Sequence, residues 1–193
     1  MSVRPSADAV HSAAIGAPVA PPGPAIAAPV GAFTRVCAWL SKAALVLAIV
    51  GLLALILCVQ YQVIGRYLLN DTPTWAEALA LLLVSYVTAL GVAVGVRDAG
   101  HIGLESIVAL LPERWRLKLE ILIHAFVGLF GALMLQSGWL WTSMKWAERK
   151  PMLPVPAGMD YLPLVIAGAL ILLFSIEHIV ALWRGTVVEP GWH

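Results

Sequence analysis

The sequence predicts an all-α integral membrane protein with four transmembrane helices, a short interfacial amphipathic helix, and both termini on the cytoplasmic side. Three observations carry this. The 193 residues are 61% hydrophobic and 12% charged, with a mean hydropathy of +0.89, whereas a soluble domain carries roughly 25% charged residues. The apolar residues are collected into four runs, each long enough to cross a bilayer. Tryptophans and charges collect at the ends of those runs.

Residues 1–33 are Ala/Pro-rich, and Pro18, Pro21, Pro22, Pro24 and Pro29 forbid a continuous helix. The segment has no uninterrupted apolar stretch followed by a small-residue cleavage site, so it is read as a disordered cytoplasmic tail and not as a signal peptide. The membrane domain is expected over 34–184, with a short cytoplasmic tail at 185–193.

The expected spans are 43–65, 78–96, 121–144 and 161–183. About 20 apolar residues cross a ~30 Å hydrocarbon core as a helix. The backbone must satisfy its own hydrogen bonds there. None of the runs alternates with period 2, so a barrel wall is excluded. Trp39 precedes the first span, Trp75 opens the second, Trp139, Trp141 and Trp146 cluster at the end of the third, and Trp183 closes the fourth. Indole prefers the headgroup level. Lys and Arg set the orientation. Arg35, Lys42, Arg97, Arg114, Arg116, Lys118 and Arg184 fall on one side, and Arg66, Lys145, Arg149 and Lys150 on the other. The richer side is cytoplasmic by the positive-inside rule.

Two connections have their own character. Between the second and third spans, Leu104, Ile107, Val108 and Leu111 follow i, i+3, i+4, i+7 spacing until Pro112, which predicts the interfacial helix. Between the third and fourth, Pro151, Pro154 and Pro156 predict an extended, stiff loop without helix.

Few residues are candidates for chemistry. Arg66, Asp71 and Glu77 gather at the tip of the first hairpin, where a charge pair would clamp the two helices or grip a solute. Glu77 is favoured in a helix's first turn, beside unpaired N–H groups. Glu177 and His178 lie inside the fourth span, and an ionisable group there is a functional candidate by default. His124 sits at a similar depth on the third span. Two readings stand for these three residues: axial haem ligation by the histidines, or interhelical hydrogen bonds and partner contacts. Gly91 and Gly95 form a GxxxG pair, extended by Ser85 and Ala89, and Gly128 and Ala132 repeat the small-residue spacing on the third span; both predict tight helix packing. Cys37 and Cys58 stand about 31 Å apart on one helix, which excludes a disulfide between them.

No catalytic, cofactor-binding or metal-binding motif is present. A net charge of +1 with no basic patch gives no case for a nucleic-acid partner. Transporters that hold an ion build the site from broken helices and internal repeats. No proline breaks a span here and no repeat is detectable. The chain is therefore expected to be an accessory or anchoring subunit, not an enzyme and not a solute pathway by itself.

From about Arg35 to Arg184 the motifs, in order, resemble the small, DctQ-like membrane subunit of tripartite ATP-independent periplasmic (TRAP) transporters. They are Arg66-Tyr67 with Asn70, Pro73, Trp75-Ala76-Glu77, Gly91, Arg97, His101-Ile102-Gly103-Leu104-Glu105, Leu111-Pro112 and Tyr161-Leu162-Pro163-Leu164. Two positions depart from the family pattern. Ala78 stands where a second acid is common, and Glu105 where Asp is common. The resemblance implies an accessory subunit of a sodium-coupled, binding-protein-dependent importer of organic acids in the bacterial inner membrane. Its implied partners are a large elevator-type membrane subunit, whose stationary scaffold it enlarges, a periplasmic solute-binding protein and membrane lipid. It implies no substrate site and no cofactor on this chain. Arg66, Tyr67, Asn70, Trp75, Glu77, His101, Glu105 and Glu177 are the structural and partner-contact candidates. A haem- or quinone-binding anchor of an oxidoreductase, built on His124 and His178, is the competing reading.

Overall fold

A computed structural model describes residues 31–68, 73–98 and 113–184. Four helices account for nearly all of it: α1 Ala32–Leu68, α2 Thr74–Asp98, α3 Glu113–Lys145 and α4 Leu162–Arg184. A single 3₁₀ turn, Ala157–Asp160, precedes α4. All four helices, the last counted with that turn, are long and apolar enough to span a membrane. No strand is present among the described residues, only an isolated bridge between Arg149 and Pro156. The predicted all-α, four-span class is observed.

The helices outrun the apolar runs that announce them. α1 has 37 residues, about 55 Å of helix. It starts eleven residues before the apolar run, because Cys37 and Ser41 are fully buried against the rest of the chain and packing holds this polar-flanked turn helical. α2 starts directly after Pro73, whose carbonyl accepts a 3.0 Å bond from the Ala76 amide. The predicted interfacial helix lies at 104–111, outside the described residues.

The loop between α3 and α4 differs from expectation. It is folded, not merely extended. The Lys150 amide donates to Val155 O at 3.1 Å and the Ala157 amide to Glu148 O at 2.7 Å. Pro156 then stands as N-cap of the 3₁₀ turn. A proline at a helix start loses no hydrogen bond, since its missing N–H would have had no partner. Proline density therefore excludes helix before Pro156 and not after it.

α1 packs on α2, α2 on α4, and α4 on α3. The order α1–α2–α4–α3 makes an open array with α4 the most buried helix and α1 the least. The core is small: Cys37, Ala93, Ala167, Ile171 and Phe174. Large apolar side chains instead cover the outside, for example Leu47, Leu53 and Leu57 on α1 and Phe126, Phe130 and Leu133 on α3. In water such a surface would aggregate. In lipid it costs nothing, and close packing rather than apolar burial must hold the helices together.

That packing is tightest between α3 and α4. A Cβ on Gly168 would lie 2.5 Å from the Leu135 amide nitrogen and 2.7 Å from Gly131 O. One on Gly131 would lie 2.9 Å from the Leu172 nitrogen, and one on Gly138 2.9 Å from the Val165 nitrogen. The two backbones touch where only glycine fits. The predicted contact at Gly91 and Gly95 is not made among the described residues: none of them comes within 4 Å of either Cβ position from a neighbouring element. Spacing identifies a surface that could be approached closely, and α2 turns that surface away from its own neighbours.

Candidate functional site

Most of the buried polar side chains among the described residues, Arg97, His124, Glu177 and His178 among them, converge at one end of the array, where α2 and α4 finish. Arg97 lies in the last turn of α2. Its Nε donates to Glu177 Oε2 at 3.0 Å and its Nη2 to Oε1 at 3.3 Å. This is the two-pronged guanidinium–carboxylate geometry, stronger and more directional than a single contact. Nη1 reaches Asp98 Oδ1 at 3.3 Å. The guanidinium carbon also stands 5.8 Å from the centre of the Phe174 ring. Both partners of the main pair are about 2% exposed.

Helical spacing builds this arrangement. Phe174, Glu177 and His178 are at i, i+3 and i+4 on α4, so one face delivers the ring, the acid and the imidazole together. His178 Nε2 lies 3.0 Å from the Arg97 backbone oxygen. A carbonyl only accepts, so Nε2 carries the proton and the tautomer follows from the contact. The His124 ring of α3 then stacks on His178, with centroids 4.6 Å apart and planes 10° from parallel. Three helices thus meet in one buried cluster: α2 through Arg97, α4 through Glu177 and His178, and α3 through His124.

This geometry decides the reading of the histidines. Two axial haem ligands point ring nitrogens toward an iron lying between them. Here the ring faces touch, and one Nε2 is spent on a backbone carbonyl. The arrangement is an interhelical hydrogen-bond network. Among the described residues no group of three or more His, Cys, Asp or Glu is placed to hold a metal ion. The cluster does not resemble a catalytic one either. Its acid and its base neutralise each other in a bidentate pair, and Arg is not deprotonated in proteins.

Glu177 was a candidate from sequence, and the structure gives it a partner that was not. Arg97 reads as the basic flank of a span, and it is instead buried. The signal that could have found it is the cost of Glu177. A carboxylate six or seven residues inside a span requires a cation at its depth, and Arg97 is the basic residue at that end of α2.

The hairpin tip is arranged otherwise. Arg66, Tyr67 and Glu77 are exposed, and among the described residues no hydrogen bond or ion pair joins Arg66 to Glu77, so the expected charge clamp is not formed between them. Apolar and sulfur contacts close the hairpin in its place. The Tyr61 and Trp75 rings lie 5.7 Å apart, Cys58 Sγ donates to Ala76 O at 3.3 Å, and Ala76 is fully buried. Cys37 and Cys58 are both free, as their separation requires. Asn70, His101 and Glu105 lie outside the described residues.

The tip also stands further out than expected. α2 and α4 run parallel and are pinned together at Arg97 and Glu177. Thr74 lies 23 residues back from Arg97, and Leu162 lies 15 back from Glu177. The α1–α2 hairpin therefore extends beyond the start of α4 by eight residues, about 12 Å. Beside it, the α3–α4 loop is tied down by Lys150 Nζ donating to Asp160 Oδ1 at 2.7 Å, Lys145 Nζ donating to both Glu148 oxygens, and Tyr86 OH donating to Met159 O at 3.2 Å.

Residues 55–185 match the family model of the DctQ component of tripartite ATP-independent periplasmic transporters. The sialic acid TRAP transporter small permease protein SiaQ of Vibrio cholerae is 34% identical over 38% of this chain and 43% of its own length. A TRAP transporter small permease protein of Haemophilus influenzae is 23% identical over 75% of this chain and 89% of its own length. The sialic acid TRAP transporter permease protein SiaT of Haemophilus influenzae is 36% identical over 28% of this chain, a match that occupies 9% of that longer protein. The match thus spans less than half of the Vibrio relative and most of the Haemophilus small permease. With its family model matched over more than half its length and its four apolar helices, this chain belongs to the DctQ component family of TRAP transporters, as a multi-pass protein of the bacterial inner membrane.

Proposed function

We infer that this chain serves its transporter as a fixed scaffold element and carries no substrate site of its own. The observation that bears the reading is where its polar groups go. Arg97, Glu177 and His178 satisfy one another inside the subunit, so the buried charge is spent on holding helices together. The outer faces of α1 and α3 are apolar and open.

The partner is a large permease subunit, with a periplasmic solute-binding protein delivering substrate. Support comes from the relative named as a permease protein, in which the part similar to this chain is a small fraction of a long polypeptide. Covalent attachment in one relative fits stable association in another. The cargo is an organic acid, in line with the sialic acid in the names of two relatives, and uptake is coupled to sodium. A large subunit that moves a transport domain across the bilayer needs a stationary frame, and four lipid-facing helices rigidly clamped at one end widen that frame. Arg66, Tyr67, Asn70, Trp75, Glu77, His101 and Glu105 are contact residues for the partners in this reading.

Co-expression with the large subunit and reconstitution into vesicles tests it. The two subunits are expected to co-purify, and sodium-dependent uptake is expected only when both membrane subunits and the binding protein are present. Uptake by this chain alone would overturn the reading, as would full transport by the large subunit without it.

A further inference from the structure

Between α2 and α3, above α4, the array leaves a groove that neither the clamp nor the hairpin uses. Val84, Thr88 and Val92 form one wall, Met134 the other, and Pro163 and Ala167 the floor. Its volume is about 470 Å³, inside the range of ~300–1,000 Å³ typical of ligand sites. Val84, Thr88 and Val92 are exposed, so the groove opens sideways toward the hydrocarbon.

Its outer end is polar. Asp160 and Tyr161 close it, and Asp160 holds the Lys150 ammonium at 2.7 Å. Tyr161 stacks on Trp141 at 5.8 Å, and Trp139 and Trp146 are exposed on the same end of α3. Aromatic residues gathered in this way mark the headgroup level of a bilayer. From mouth to floor the groove therefore runs from a charged pair at headgroup depth to an apolar channel pointing inward. A phospholipid is ordered in the same way.

We propose that this groove binds one phospholipid with a primary-ammonium zwitterionic headgroup, of the phosphatidylethanolamine class. An acyl chain lies along the wall formed by Val84, Thr88 and Val92. The phosphate faces Lys150 and the headgroup ammonium faces Asp160. The charge pattern selects this class. A carboxylate beside an ammonium is complementary to an ammonium beside a phosphate. A headgroup with only the phosphate charge would draw on Lys150 and bring no cation of its own to Asp160, and a quaternary ammonium has no N–H to donate to the carboxylate. A partner helix fits less well. The wall from Val84 to Val92 is only about 12 Å long, and an apolar helix seated there would bury the Lys150–Asp160 pair at a cost.

Native mass spectrometry on the full-length chain, extracted from a bacterial membrane in mild detergent, tests this. Lipid exchange against vesicles of phosphatidylethanolamine, phosphatidylcholine or phosphatidylglycerol gives the preference. One retained phosphatidylethanolamine per chain is expected. Thr88→Trp fills the groove from an exposed position and should lower retention about tenfold, equivalent to ~1.4 kcal/mol, with helix content unchanged. Asp160→Asn should keep a bound lipid but remove the preference over phosphatidylcholine. The proposal is overturned if retained lipid mirrors the bulk composition, if Thr88→Trp leaves retention unchanged with the protein folded, or if Thr88→Cys cross-links to a partner subunit in native membranes.

Discussion

Arg97 shows how one residue can change meaning between sequence and structure. At the end of an apolar run it reads as a topological signal. Folded, it is a buried cation whose guanidinium spans Glu177 and whose carbonyl holds His178. Removing one member of a buried pair leaves the other charge uncompensated, which costs about 3–5 kcal/mol, whereas replacing both with apolar residues of similar size is often near neutral. Arg97→Ala is therefore expected to lower the thermal midpoint of the detergent-solubilised protein sharply, and Glu177→Ala to do the same. The double variant Arg97→Met/Glu177→Met should recover most of the loss. Additive losses in the double variant would show that the two side chains are not coupled.

At the scale of the elements, the glycines separate two kinds of helix face that spacing alone makes look alike. Gly168 has backbone atoms within 3 Å of its Cβ position, and among the described residues Gly91 and Gly95 have nothing within 4 Å. Overpacking a tight contact costs about 1–3 kcal/mol, more when the obstacle is backbone that cannot rotate away. Gly168→Val is expected to force α3 from α4 and reduce the yield of folded subunit. Gly91→Ala and Gly95→Ala should leave the isolated subunit's melting temperature unchanged or slightly higher, since Ala is the better helix former. A loss in complex yield alone, with subunit stability intact, would place these two glycines at the partner interface. The same contrast explains what was legible. Span existence follows from run length and composition, which depend on lipid and not on neighbours, so all four were readable. Which small residues touch depends on how helices rotate about their axes, and a GxxxG pattern carries no information on that. The 3₁₀ turn at Ala157–Asp160 escaped notice for a related reason: three prolines mask the short proline-free stretch that follows them. Glu177 was visible because a charge in a span is rare. Its partner was not, because an arginine at a span's end is common.

The whole molecule is an open row, α1–α2–α4–α3, fastened at opposite ends by different means. One end is held by the buried cluster of Arg97, Glu177, His178 and His124. At the other, Tyr61 against Trp75 and Cys58 against Ala76 close the α1–α2 hairpin, and a hydrogen-bonded loop joins α3 to α4. Arg35, Lys42, Arg97 and Lys118 lie toward the clamped end and Arg66, Lys145, Arg149 and Lys150 toward the hairpin end. With Arg114, Arg116 and Arg184 added to the first group by sequence, the positive-inside rule places the clamped end in the cytoplasm and the hairpin in the periplasm. The eight-residue excess of α2 over α4 then carries Arg66 and Tyr67 beyond the start of α4 on the hairpin side. Single cysteines test this directly, in a chain whose Cys37 and Cys58 have been replaced by serine or alanine. Tyr67 and Trp115 are 78% and 64% exposed at opposite ends of the array, so each tolerates the change. A membrane-impermeant thiol reagent is expected to label Tyr67→Cys in intact cells whose outer membrane admits it, and to label Trp115→Cys only after the inner membrane is opened. The reverse pattern would invert the subunit and move the hairpin to the cytoplasm. Equal labelling of both before opening would mean that the four helices do not all cross.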